Sequence, residues 1–127
     1  MSSRSYVGRI NNDGSIEAVY IHHDGYFSYV GNILLEEFNS LESVNFIISR
    51  GNASSITDEV GYEGSNEKAV LFENMVYYID AFKNDIFIEY LYLFDTKKNQ
   101  WLGTKNSRKL TKNSFKPLSL IKECKGY

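Results

Sequence analysis

The stretch from Val19 to Leu35, VYIHHDGYFSYVGNILL, constrains the fold most, because two hydrophobic periodicities meet inside it. Ahead of the turn the residues alternate. Ile16, Ala18, Tyr20 and His22 share one face, and Glu17, Val19, Ile21 and His23 share the other. Beyond the turn, Ile33, Leu34, Glu37 and Phe38 are spaced to give a helix one buried side and one wet side. His23-Asp24-Gly25 is the junction, with Gly25 at the position of positive φ and Ser28 as the cap of the helix. Such a corner points free backbone N–H groups outward, where anions are often held. His22, Asp24 and Tyr26 are therefore candidate ligand contacts, and a purely structural corner is the alternative reading. His22 and His23 alternate to opposite sides and the chain has no further histidine, so no metal site is expected here.

Taken in order, Ser5 to Ile10 reads as a strand and Asn11-Asn12-Asp13-Gly14 as a hairpin turn leading into the strand described above. Leu41, Val44, Ile47 and Ile48 fall at helical spacing, which predicts a second short helix ending near Arg50-Gly51. Residues 52–68 are rich in Asn, Ser, Gly and acids and read as a long loop, either plain surface or a lid. The β-branched and aromatic residues from Met75 onward favour a strand, followed by a polar turn over Asp80–Asp85. Ile86–Phe94 is the clearest strand, apolar on both faces and hence central. Asp95–Gln100 forms a hairpin into Trp101-Leu102-Gly103, and Pro117 precedes a last short helix or strand. The resulting architecture is α+β, an antiparallel sheet with two helices packed on one side, in a single domain spanning residues 1–127.

Charge is divided along the chain. Residues 1–96 hold 15 acidic and 5 basic side chains, and residues 97–127 hold 9 basic and 1 acidic, so a −10 body precedes a +8 tail. The tail is read as packing on an acidic surface, its own or that of a second copy, or as facing a phosphate-bearing ligand. The acidic body would repel a duplex, so nucleic acid is not the expected partner. No apolar run approaches the ~20 residues of a membrane span, and Met-Ser-Ser-Arg-Ser lacks a secretory core. With one cysteine, Cys124, the expected setting is a cytosol. Gly-rich phosphate loops, zinc spacings and nucleophile elbows are absent, so no cofactor is expected. Ser28 or Tyr26 beside His22, with Asp24 as orienter, is a weak hydrolytic arrangement, and the chain is read as a non-enzyme.

Ser3-Arg4-Ser5, the Asp13-Gly14 hairpin, His22-x-Asp24-Gly25-Tyr26, Gly31, Leu34-Leu35, Ser54-Ser55, and Glu89-Tyr90-x-Tyr92-x-Phe94-Asp95 with Trp101 form a familiar pattern. In these residues, over roughly 3–56 and 86–102, the chain resembles a group of small phage proteins. Within that group it is most similar to the phage anti-Thoeris sponges. His23 stands where a tryptophan is usual and Phe27 where a proline is usual. The resemblance implies a protein that binds cyclic ADP-ribose isomers made by TIR-domain enzymes and sequesters them without degrading them. A phage inhibitor docking directly on a host defence protein through its acidic face is the alternative.

A ligand of that kind requires an aromatic face for adenine and cations for its pyrophosphate. The chain holds eight Phe, ten Tyr and one Trp, with its basic residues gathered after Trp101. Phe82, in a polar turn, is the candidate stacking platform, and Arg108 and Lys109 are the candidate phosphate ligands. Arg4 and Arg50 are secondary candidates. The complementary body and tail further predict a homodimer or larger homo-oligomer.

Overall fold

The computed structural model describes residues 3–57, 62–65 and 67–125. Its first element is the predicted hairpin, β1 (Arg4–Ile10) and β2 (Ile16–Ile21), paired antiparallel with Val7 opposite Val19. The turn closes because Gly14 adopts φ 89° and Asp13 accepts from the N–H and hydroxyl of Ser15 at 2.9 and 2.6 Å. These bonds hold the Asp13 carboxyl below its ordinary pKa.

At the end of β2 the alternation stops. Asp24, not Gly25, takes the left-handed conformation, at φ 58°. Aspartate tolerates that region because its short side chain bonds locally. Glycine is required at position 25 for closeness instead. A Cβ there would lie 2.7 Å from Ser5 Cβ and 2.8 Å from Ser3 O, while the Gly25 carbonyl accepts from the buried Tyr92 hydroxyl at 2.6 Å. The chain then enters a π-helical turn, Phe27–Gly31, that runs into α1 (Asn32–Glu37). The predicted Ser28 cap is not made. Tyr26 occupies the cap position of the π-helical turn, without a side-chain bond.

Helix α2 (Leu41–Arg50) forms where the spacing predicts it, with a capping box in which Ser40 and Ser43 bond reciprocally. Val44, Ile47 and Ile48 are buried, and Leu41 is exposed. The chain after Gly51 is tied to the sheet. Asn52 Oδ1 accepts from Tyr20 N at 2.8 Å, and the Ala53 and Ser54 carbonyls accept from His22 and His23 N–H at 3.1 and 2.7 Å. This stretch is a brace along β2, whereas part of the predicted long loop, residues 58–61 and 66, lies outside the described residues.

The predicted strand at Met75 is a helix. Val70–Phe72 (β3) is the strand, and α3 (Met75–Phe82) follows it. Asn74 starts α3 by accepting from Val76 N and Tyr77 N at 3.0 and 3.2 Å. Tyr78 and Phe82, four residues apart, are buried, while Val76 and Tyr77 point to solvent. That spacing fits a helical stripe and overrides the β propensity of the individual residues.

The most apolar strand is central, as its sequence predicts. Strand β4 (Ile88–Asp95) lies between β1 and β5 (Gln100–Lys105), and β6 (Lys116–Pro117) closes one edge, giving the order β3-β2-β1-β4-β5-β6. The pairing is antiparallel except between β1 and β4, which run parallel, so the predicted antiparallel sheet is mixed. The hairpin uses one edge of β1, and β4 takes the other edge only after α1, α2, β3 and α3 have intervened in the chain.

The described residues thus form an α+β fold with three α-helices, not two. Leu34 of α1 and Val44 and Ile47 of α2 pack in one cluster with Val19, Ile21, Tyr92 and Phe94. Tyr78 and Phe82 of α3 pack in a second cluster with Ile16, Ala18, Leu91 and Leu93. Alternation along β2 and β4 places these clusters on opposite faces of the sheet. Among the described residues no helix is long and apolar enough to cross a membrane.

Candidate functional site

Where α3 ends, the chain must turn back into β4. Asp85 organises that turn, its Oδ1 accepting from Phe87 N–H at 3.0 Å. Ile86 and Phe87 are thereby kept out of the strand and stand 74% and 64% exposed, although the sequence assigns both to it. Across the sheet edge, Asn106 pins the same turn. Its amide Nδ2 donates to the carbonyls of Phe82 at 2.7 Å, Ile88 at 3.0 Å and Asp85 at 3.3 Å. Committing the amide this way leaves its buried Oδ1 without a hydrogen bond among the described residues.

Two open grooves flank the turn and share Asp85 and Ile88 as common walls. The first, about 370 Å³, is cationic, with Lys83, Lys105 and Arg108 against Asp85 and Glu89, and Tyr90 in its lining. Lys83 bonds Asp80 at 3.4 Å, and Lys105 lies 5.9 Å from the centroid of Tyr90. Arg108 is exposed and makes no ion pair or hydrogen bond with another described side chain. The second groove, about 480 Å³, is aromatic and is lined by Arg4, Tyr6, Tyr20, His22 and Phe87. The Arg4 guanidinium lies over the Phe87 ring at 5.8 Å, and the Tyr20 hydroxyl bonds His22 Nδ1 at 2.7 Å. Burial, reinforced by the nearby Asp85 charge, raises the Tyr6 pKa, so its phenol stays protonated.

The sequence candidates divide against this geometry. Arg108 and His22 line neighbouring grooves. Lys109 is exposed beside Arg108 without lining the cationic groove. Phe82 is not an available platform. Only 4% exposed, its ring packs 4.6 Å from Tyr6, 5.0 Å from Tyr78 and 5.6 Å from Phe72. It ends a helix whose inner stripe it completes, so the polar residues around it in sequence are not its neighbours in space.

Asp24 and Tyr26 line neither groove. Asp24 is exposed in the turn, and Tyr26 packs on Tyr29 at 6.2 Å. His22 and His23 do not diverge. Their rings meet edge-on at 4.4 Å because the backbone leaves the strand at residue 22. His22 bonds Tyr20, not Asp24, Tyr26 or Ser28, so the imagined hydrolytic arrangement is not assembled. Among the described residues no group of His, Cys, Asp and Glu is placed to hold a metal ion.

Sequence reasoning misses Asp85, Phe87 and Lys105. A usable signal precedes the strand: an aspartate two residues before Phe87 forms the side-chain turn that expels Ile86 and Phe87. No family model, no curated protein and no solved structure matches this chain.

Proposed function

We propose that this chain is a non-enzymatic phage anti-defence protein that binds and sequesters a cyclic ADP-ribose-type signal, blocking Thoeris immunity in the cytoplasm of the bacterial host. One observation carries the reading: a groove with Lys83, Lys105 and Arg108 adjoins an aromatic groove with an exposed Phe87. A pyrophosphate joined through ribose to an adenine needs both kinds of surface close together. Arg108 and Lys105 neutralise the phosphates, Arg108 through its planar two-pronged fork. Phe87 replaces Phe82 as the stacking platform, since its ring is the one that reaches solvent. The resemblance of residues 3–56 and 86–102 to the anti-Thoeris sponges supports the same ligand class. His22 serves as a contact in the aromatic groove, with no role in bond cleavage.

The test is a capture-and-release assay. The protein is incubated with the product of a TIR-domain enzyme, separated from free ligand, and heat-denatured. A sponge depletes the signal and returns it intact to the supernatant. Recovery of a cleaved product identifies an enzyme instead, and an undepleted signal leaves the direct inhibitor of a host protein.

A further inference from the structure

Asp85 is the acid shared by the two grooves, and a carboxylate is an unexpected group to place beside three cations meant for phosphate. It is held firmly. Oδ1 accepts from Phe87 N–H at 3.0 Å, and the backbone N–H and carbonyl of Asp85 bond Phe82 O at 2.9 Å and Ile88 N at 3.3 Å. Asn106 adds a fourth tie at the Asp85 carbonyl. Oδ2 makes no hydrogen bond with another described residue and stays available to a ligand. A carboxylate at this point repels a phosphate but accepts strongly from uncharged hydroxyl donors.

We propose that Asp85 is the sugar-reading residue of the site, accepting hydrogen bonds from the vicinal hydroxyls of a ribose that bridges the cationic and aromatic grooves. The inference rests on the nucleotide-signal reading above and adds the order of the ligand's parts: phosphate at Lys105 and Arg108, ribose at Asp85, base at Phe87. The chemical logic is that by which acidic residues take ribose hydroxyls in dinucleotide sites. A ligand without those hydroxyls leaves the carboxylate desolvated and unpaired, so Asp85 selects against deoxy sugars and against phosphates placed next to the base.

The experiment is calorimetric titration of the protein with cyclic ADP-ribose and with its analogue lacking both 2′-hydroxyls. The parent protein should prefer the ribose form by about tenfold or more. Asp85→Asn keeps the shape and the acceptor for Phe87 N–H while losing the charge. It should bring the preference close to unity and hold the analogue as well as the parent does, or better. Asp85→Ser, which also retains an oxygen for Phe87 N–H, should behave alike, and melting curves check that both variants fold. An unchanged preference in folded variants removes Asp85 from sugar recognition and leaves the sequestration reading standing. A parent protein that binds neither compound overturns the Asp85 assignment, while the nucleotide-signal reading stands or falls separately on the capture-and-release assay with the TIR-domain product.

Discussion

At the residue scale, two phenylalanines five positions apart exchange the roles that sequence suggests for them. Phe82 sits among polar neighbours yet is core, and Phe87 sits in an apolar run yet is exposed. Phe82→Ala should therefore cost ~3–5 kcal/mol of folding free energy by urea denaturation, since the cavity lies under Tyr6, Phe72 and Tyr78. A loss within the range of a surface substitution, about 0.5 kcal/mol, would contradict the packing described. Phe87→Ala should do the reverse, sparing stability and costing ~1–3 kcal/mol of signal binding in calorimetry. Arg108 belongs with Phe87. Because Arg108 is exposed and makes no ion pair among the described residues, Arg108→Ala should leave the melting temperature nearly unchanged and weaken binding by ~1.5–3 kcal/mol, the range of a charge-assisted hydrogen bond. Equal affinity in mutant and parent would take Arg108 out of the site.

At the element scale, the decisive case is α3. Its residues Met75-Val76-Tyr77-Tyr78-Ile79 favour a strand one by one, and what makes them helical is a cap at one end and a stripe along one side. Asn74 satisfies two N–H groups that the first turn would otherwise leave unpaired. Asn74→Ala should accordingly cost ~1 kcal/mol of global stability, with Asn74→Asp close to the parent, measured by denaturation midpoint. Equal stability of the Ala and Asp variants would mean that packing of Tyr78 and Phe82 alone sets the helix. The C-terminal end of α3 is tied to the candidate site as well. Phe82 O accepts from Asn106 Nδ2 at 2.7 Å, which couples the end of this helix to the turn carrying Asp85 and Phe87.

At the scale of the whole molecule, the −10 of residues 1–96 and the +8 of residues 97–127 are complementary net charges on one chain. We propose that part of this complementarity is satisfied between copies, in a homodimer or larger closed homo-oligomer. Light scattering at micromolar concentration should give a multiple of 14.6 kDa that falls as salt rises, because screening beyond ~10 Å weakens exposed charge pairs. A 14.6 kDa species throughout that range would overturn the assembly.

The amino-acid sequence determined the elements whose signals are local. The Asp13-Gly14 hairpin, the Ser40-capped α2 and the two-faced strand β4 are each specified by residues within a few positions of one another. Tertiary structure decided whatever depended on which neighbour covers a face. It made Met75–Phe82 a helix, set β4 parallel to β1, divided the helices between two faces, and sent Phe82 inward. The candidate site belongs to that second class. Arg4, His22, Asp85, Phe87, Lys105 and Arg108 come from four separated stretches, and only closure of the sheet brings them to one place. Periodicity reports whether a residue has a dry side. It carries no information about what lies across that side, because that contact is made by residues distant along the chain.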